Sequence, residues 1–385
     1  MQAQLFFEGT QQGVRWREVA LPGLDSDSDA LVRPLAVARC DFDAPYLFDK
    51  LHLMLRMGLR ANMVDEEVPG YFGPEPFAPP FAVGHEFVAE VVRCGSAVHG
   101  FSAGDRVIVP FQVSCGSCAA CLRGASGSCS GVRAGSVFGF GERGGRFGGA
   151  VCDLVRIPFA QHLLVKLPAA LSPVTMACAG DNLTVAFQGV VPGLRARPDA
   201  KVLVLGGGCA SIGLYAVGFA CAQGSDVTYV DTDHDQRAAT RRLAAERLGA
   251  RAVLTLDQLG SDARYDLCVD ASSSAEALQK GLRSLRVGGE CNCIGLHFGA
   301  SVRLPLFPMC MRGITLRTGW GNPREDIEAM LTHLARSSFD PSLIVSQRAD
   351  WAEAESAWLE PGTKLVIARA ELKGETTCTA KSTGN

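Results

Sequence analysis

The chain changes rhythm at Pro168. Beyond it, short apolar runs alternate with stretches rich in Ala, Leu and Arg at helical spacing, the pattern of a parallel sheet covered by helices. Strands are expected at Lys201 to Leu205, Asp226 to Val230, Ala252 to Thr255, Asp266 to Val269 and Glu290 to Ile294. Helices are expected at Ile212 to Gln223, His234 to Leu248 and Ser274 to Leu285, the last stopped by Gly288-Gly289. Before Pro168, runs such as Phe87 to Val92 and Arg106 to Val109 are separated by Gly, Pro and Asp turns, which reads as a mostly antiparallel, barrel-like β domain. The expected fold class is therefore α/β: a doubly wound parallel-sheet domain joined to a mostly antiparallel β-barrel domain. Inside the β part, Leu47 to Met63 has helical apolar spacing, and Pro69 to Pro80 reads as an irregular covering loop. The last stretch, Trp320 to Leu372, ends in a strand at Lys364 to Ala368, and the polar tail from Lys373 to Asn385 is expected to lack structure.

With 385 residues, two or three domains can each bury a core. The 37 basic and 40 acidic side chains leave a net charge of -3, which gives no electrostatic basis for binding nucleic acid or an anionic membrane. There is no apolar run long enough to span a bilayer, and Met1 to Arg17 carries Glu8, Arg15 and Arg17 without a leader-like apolar block. A cytoplasmic protein is expected. The cysteine count of 15 is odd; in a reducing compartment such thiols serve burial, metal binding or catalysis rather than pairing.

Cys115, Cys118, Cys121 and Cys129 form C-x2-C-x2-C-x7-C in a glycine-containing loop. Four thiolates at such spacing close a tetrahedron around zinc and leave no open position, so the site is read as structural. An iron-sulfur cluster is the rival, but there the fourth Cys usually comes sooner and precedes Pro, whereas Ser130 follows here. Cys40, His85 and Asp181 are scattered. One thiolate, one imidazole and one carboxylate would leave the fourth position of a zinc ion free, the mark of a catalytic metal. Singly they are weak signals, since a lone Cys is usually a packing residue and Asp181 could cap a helix.

Taken together, Gly84-His85-Glu86, Gly104-Asp105-Arg106-Val107, the four-cysteine lobe and the dinucleotide-type pattern after Pro168 resemble the zinc-dependent medium-chain dehydrogenase/reductase family of the alcohol dehydrogenase type, with its GroES-like catalytic domain. The resemblance covers about residues 25 to 370. It implies residues 1–180 as the catalytic domain with the zinc lobe at about 112–131, residues 181–318 as the NAD-binding Rossmann domain, and residues 319–385 returning to the catalytic domain. It also implies two zinc ions per chain, with Cys40, His85 and Asp181 holding the catalytic one. Asp181 followed by Asn182-Leu183 is similar to the formaldehyde/threonine-dehydrogenase-like branch, and Cys178 is the competing third ligand. Asp43 would receive the other ring N–H of His85, and Glu86 would stand behind the metal. Family members are dimers or tetramers, so a homodimer or homotetramer is implied. The sequence departs from the family at Phe42 and Pro45, where a hydroxyl and an imidazole usually relay the proton; neither residue can transfer one.

Lys201 to Gly213 reads as strand, glycine turn and helix start. Gly206, Gly208, Ser211, Ile212 and Gly213 would bring pyrophosphate against backbone N–H groups at a helix N-terminus. The turn is longer than a clean G-x-G-x-x-G. Asp231 follows the second strand, where a carboxylate accepts from the adenosine ribose and repels a 2′-phosphate. NAD is thus favoured over NADP, although Arg237 could reach a phosphate. The function implied is hydride transfer between a small-molecule alcohol and NAD, with an aldehyde or ketone as product. Two rivals stand: a reductase of C=N or activated C=C bonds, suggested by Phe42, and a non-enzymatic NAD-binding protein. Tyr46, Phe48, Tyr71, Phe72, Phe77 and Phe81 could cover a pocket for a bulky apolar substrate or could simply pack the added helix.

Overall fold

A computed structural model of the protein describes residues 1–9, 11–43, 45–61, 75, 77–139, 147–233, 236–297, 301–319 and 321–372. The tail from Lys373, with Tyr71, Phe72 and most of the expected covering loop, lies outside them, as do the side chains of Tyr46 and Phe48. The chain divides into two compact units: Met1–Asp181 with Asn322–Glu328 and Val345–Asn385, and Asn182–Gly321 with Ala329–Ile344.

The first unit contains β1 (Gln2–Phe7), β2 (Val14–Val19), β3 (Ala30–Arg39), β4 (Phe81–Ala82), β5 (Glu86–Cys94), β6 (Arg106–Val109), β7 (Val155–Ile157) and β8 (Val165–Lys166). The second contains β9 (Lys201–Gly206), β10 (Asp226–Asp231), β11 (Ala252–Thr255), β12 (Tyr265–Asp270), β13 (Leu285–Cys293) and β14 (Thr315–Thr318), and the chain closes on β15 (Gln347–Asp350) and β16 (Leu365–Ala368) in the first unit.

In the first unit the main sheet runs β15-β16-β3-β5-β6-β8, with β7 added to β3. Its pairs are antiparallel except for β15 and β16. β3 is its centre, buried at Ala30, Val32 and Ala36–Ala38 because it is covered on both faces. A smaller sheet has the order β2-β1-β4. The helix read from apolar spacing spans Pro45–Arg60. Phe81 is buried against Phe7 with centroids 5.3 Å apart, and Phe77 against Phe42 at 5.5 Å.

The second unit is a parallel sheet of order β11-β10-β9-β12-β13-β14, the doubly wound arrangement whose strand order reverses beside the first strand. Its helices include Asn182–Ala196, Ala210–Ala222, Gln236–Arg247 and Ala275–Arg283. Two details differ from expectation. Gly288 and Gly289 do not stop a helix: the helix ends at Arg283, and both glycines lie within β13 beside a shift in its pairing with β12. Residues 329–344 belong to the second unit rather than returning with the rest of the C-terminal stretch. Phe339 explains this, since its ring packs on Phe219 at 5.1 Å, over a position where only Gly218 leaves room. Among the described residues, no helix is long and apolar enough to cross a membrane.

Candidate active site and metal centres

Strand register brings the scattered candidate ligands of the first unit together. β3 pairs with β5 so that Ala38 faces Glu86, which sets Cys40, just past the end of β3, beside His85, just before the start of β5. Gly84 makes this entry possible with a φ of +93°, in the left-handed region that L side chains avoid. Asp181 arrives by a third route. Gly180 accepts from the Phe111 N–H at 3.1 Å and lies so close to the Val109 carbonyl, at the end of β6, that a Cβ would sit 2.2 Å from it.

The result is a buried group in which Cys40, His85, Glu86 and Asp181 each offer one donor atom, all within 4.8 Å of one another. His85 Nε2 lies 3.3 Å from Asp181 Oδ2, and Nδ1 lies 3.2 Å from Asp43 Oδ1. Asp43 also accepts from the Cys40 N–H at 3.2 Å, so one carboxylate fixes both the ring and the backbone that carries the thiol. Burial pushes the Cys40 thiol up to about 12, against a hydrogen bond with His85 and with help from the Glu86 and Asp181 charges. Burial disfavours the His85 imidazolium, but the Asp43 charge and hydrogen bonds with Asp181 and Asp43 outweigh it and raise His85 well above its usual value. Cys178 is buried but is not among the converging donors.

A sulfur, a ring nitrogen and a carboxylate oxygen, buried and within 4.8 Å of one another, form a borderline donor set that suits zinc. The acidic side chains there need a cation, which a divalent ion supplies. The residues fit the metal.

One residue of this site escaped the sequence reading. Lys364, fully buried, lies just before β16 and pairs with Glu86 Oε2 at 2.8 Å while donating to the Arg39 carbonyl at 3.3 Å. The antiparallel register of β16 on β3, with Leu365 opposite Arg39, delivers it. Burial raises Glu86 to about 7, with Lys364 as the chief opposing influence. The only sequence signal was a lysine opening an apolar strand, which alone does not distinguish a buried amine from a solvated one.

Cys115, Cys118, Cys121 and Cys129 form the second group. Their sulfurs are 3.5 Å apart for Cys115 and Cys129, 3.6 Å for Cys118 and Cys121, and 3.8 Å for Cys118 and Cys129. A tetrahedral zinc with ~2.3 Å bonds places its sulfurs about 3.8 Å apart, whereas a disulfide needs ~2.05 Å. Backbone N–H groups of Cys118 and Gly131 point at the Cys115 and Cys129 sulfurs. Hydrogen bonds from Cys121 and Ser130 pull the Cys118 thiol down to about 4. The Gly127 N–H donates to Asn322 Oδ1 at 2.8 Å and anchors the lobe.

In the second unit, β9 ends at Gly206 and the next helix begins at Ala210. Gly208 and Cys209 N–H groups donate to the Ser272 and Ala271 carbonyls, both at 2.9 Å, and a Cβ on Gly213 would lie 3.5 Å from the Gly206 Cα, the close helix–strand approach a dinucleotide turn needs. Ser211 is buried and donates to Asn182 Oδ1 at 2.9 Å, and Ile212 is buried beside it. Asp231 differs from its expected role. It is fully buried, and its two oxygens accept from Tyr229 Oη, the Asp233 N–H, and Arg241 Nε and Nη2 at 2.8 to 3.1 Å. Four hydrogen bonds fill a carboxylate's acceptor capacity, so no site remains for a ribose hydroxyl. Asp233, half exposed and paired with Arg241 at 2.7 Å, is the neighbouring carboxylate that faces outward. Arg237 is exposed in the first turn of the next helix.

Comparison with known proteins follows the same division. Residues 26–169 match the alcohol dehydrogenase GroES-like domain, and residues 211–336 match the zinc-binding dehydrogenase domain. The medium chain reductase/dehydrogenase ucsI of an Acremonium species is 31% identical over 233 residues, covering 57% of this chain and 76% of that protein. The glutathione-independent formaldehyde dehydrogenase of Pseudomonas aeruginosa is 35% identical over 164 residues, 41% of this chain and 40% of that protein. Among solved structures, the alcohol dehydrogenase TADH from Thermus sp. ATN1 superposes with a TM-score of 0.77 at 28% identity, covering 95% of this chain and 99% of that one. With both domain models and the relatives agreeing, the chain belongs to the zinc-dependent medium-chain dehydrogenase family, the alcohol-dehydrogenase-like oxidoreductases that act on small molecules.

Proposed function

We propose that this chain is a cytoplasmic oxidoreductase that interconverts an alcohol and an aldehyde or ketone by hydride transfer with NAD. It would use one zinc ion at Cys40, His85 and Asp181 and a structural one at Cys115, Cys118, Cys121 and Cys129, as a homodimer or homotetramer. The observation that carries the reading is the convergence of the buried Cys40, His85 and Asp181 donors within 4.8 Å of one another. When bound, zinc supplies Lewis acidity toward the substrate oxygen and the nicotinamide exchanges hydride.

The chain's own residues do the rest. One thiolate and one carboxylate balance a divalent charge, and three donors leave a position for substrate. Asp43 lies at Nδ1 of His85, so that Nε2 faces Asp181. Lys364 holds Glu86 and keeps a buried carboxylate compensated. In the nucleotide-binding unit, Asp231 and Asp233 against Arg241 leave a net negative corner, which supports NAD over NADP, with Asp233 rather than Asp231 as the outward acceptor.

Phe42 favours a second reading. It presents an apolar ring, edge-on to Phe77, where a relay hydroxyl would be expected, and this suits reduction of a C=N or activated C=C bond. The test is a substrate panel on zinc-replete protein, alcohols with NAD against iminium and enone compounds with NADH, alongside metal content. Cys40→Ser and Asp181→Asn should each lose one zinc and more than about a hundredfold in turnover, beyond the loss typical of an outer-sphere partner. Full turnover with one zinc missing from the Cys40 site would sink the dehydrogenase reading.

A further inference from the structure

A third group of metal-type donors lies in the second unit and shares no residue with either set above. Asp270 ends β12, Cys293 ends β13, and the two are register partners. The chain then turns back so that His297 Nε2 lies 3.0 Å from Asp270 Oδ2, with Cys293 Sγ 3.4 Å from the same oxygen. The three donor atoms lie within 4.8 Å of one another. They sit at the carboxyl ends of parallel strands, where open α/β sheets place their ligands.

Two features separate this group from a simple hydrogen-bonded cluster. First, the carboxylate is pre-aimed: Asp270 Oδ1 is occupied by the Ser272 N–H at 3.0 Å and the Ser272 hydroxyl at 2.5 Å. Oδ2 is therefore turned onto the sulfur and the imidazole, the way outer hydrogen bonds orient a metal-binding carboxylate. Second, Asp270 is fully buried, and among the described residues its only ion-pair partner is His297. A fully buried carboxylate is costly without a nearby cation, and a divalent ion would supply one.

We propose that Asp270, Cys293 and His297 form a third divalent-metal site, of the zinc class, in the parallel-sheet unit. Binding releases the Cys293 thiol proton to solvent. The resulting thiolate, the carboxylate and the neutral imidazole then balance the ion with the same three donor types as Cys40, His85 and Asp181. Entry is from the imidazole side, since the His297 side chain keeps 14% exposure and Asp270 none.

The experiment strips full-length protein with a chelator, re-equilibrates it at fixed free zinc and counts zinc per chain by plasma emission, for wild type, His297→Ala, Cys293→Ser and Cys40→Ser. Wild type should hold three equivalents. His297→Ala and Cys293→Ser should each hold one fewer, and the nearly isosteric Cys293→Ser decides if His297→Ala fails to fold. Cys40→Ser removes its own equivalent and reports on the proposed catalytic centre separately, so failure of one site is not mistaken for failure of the other. Equal zinc content in wild type, His297→Ala and Cys293→Ser would overturn the proposal.

Discussion

Lys364 and Glu86 are both fully buried and 2.8 Å apart, so each supplies the other with a buried counter-charge. Lys364→Met removes a buried cation from that carboxylate, and breaking a buried pair in this way costs about 3–5 kcal/mol. Denaturant unfolding should show that loss. The double variant with Glu86→Gln should recover much of it, whereas a lysine that served only as packing would give additive losses. Phe42 poses the opposite question, because it lacks a function its neighbours would use. Phe42→Thr gives up an edge-on ring contact with Phe77, worth roughly 1 kcal/mol, and supplies a hydroxyl. If carbonyl chemistry is the activity, turnover of simple alcohols should rise; unchanged turnover would favour the C=N or C=C reading.

At the scale of elements, the site depends on where strands begin and end. Gly84 sets the entry to β5 at φ +93°, with Val37 and Val151 side chains 3.1 Å from where a Cβ would lie. Gly84→Ala should therefore cost about 1–2 kcal/mol in backbone strain, displace His85, and remove the zinc held with Cys40 while the four-cysteine zinc stays. Metal analysis beside a melting curve checks both halves. Strands bounded by turn residues were legible from sequence: Arg106–Val109 and Ala252–Thr255 appear with the expected bounds, because apolar runs between breakers leave one place for a strand to stop. The clustering of Cys115, Cys118, Cys121 and Cys129 was equally legible, since the four are close in sequence. β13 was misjudged at its start because the pairing shift lets Gly288 and Gly289 sit inside a strand, and periodicity does not report a bulge. Lys364 was invisible because cross-strand register delivers it, which no local window contains. The saturation of Asp231 comes from Tyr229, Asp233 and Arg241, near in sequence, whose side-chain directions the sequence does not give.

For the whole molecule, the chain builds each unit from separated stretches: 322–328 and 345 onward complete the first, and 329–344 the second. The expected single return to the catalytic domain missed this interleaving because the decisive contact, Phe339 on Phe219, joins residues far apart in sequence. The division also sorts the ligands. Cys40, His85, Asp181 and the cysteine lobe lie in the first unit, and the glycine turn with Asp231, Asp233 and Arg241 lies in the second. A ligand stabilises the state that binds it, by about 2.7 kcal/mol at a hundred times its dissociation constant, and that gain is read locally by amide hydrogen exchange. Chelation should therefore raise exchange in residues 115–131. NAD added to the stripped protein should still slow exchange in residues 201–222, and NADP should slow it less at equal concentration. Equal protection by the two nucleotides would remove the argument from the acidic corner at Asp231 and Asp233, and protection confined to the metal-replete protein would mean that the nucleotide turn does not form a binding surface without zinc.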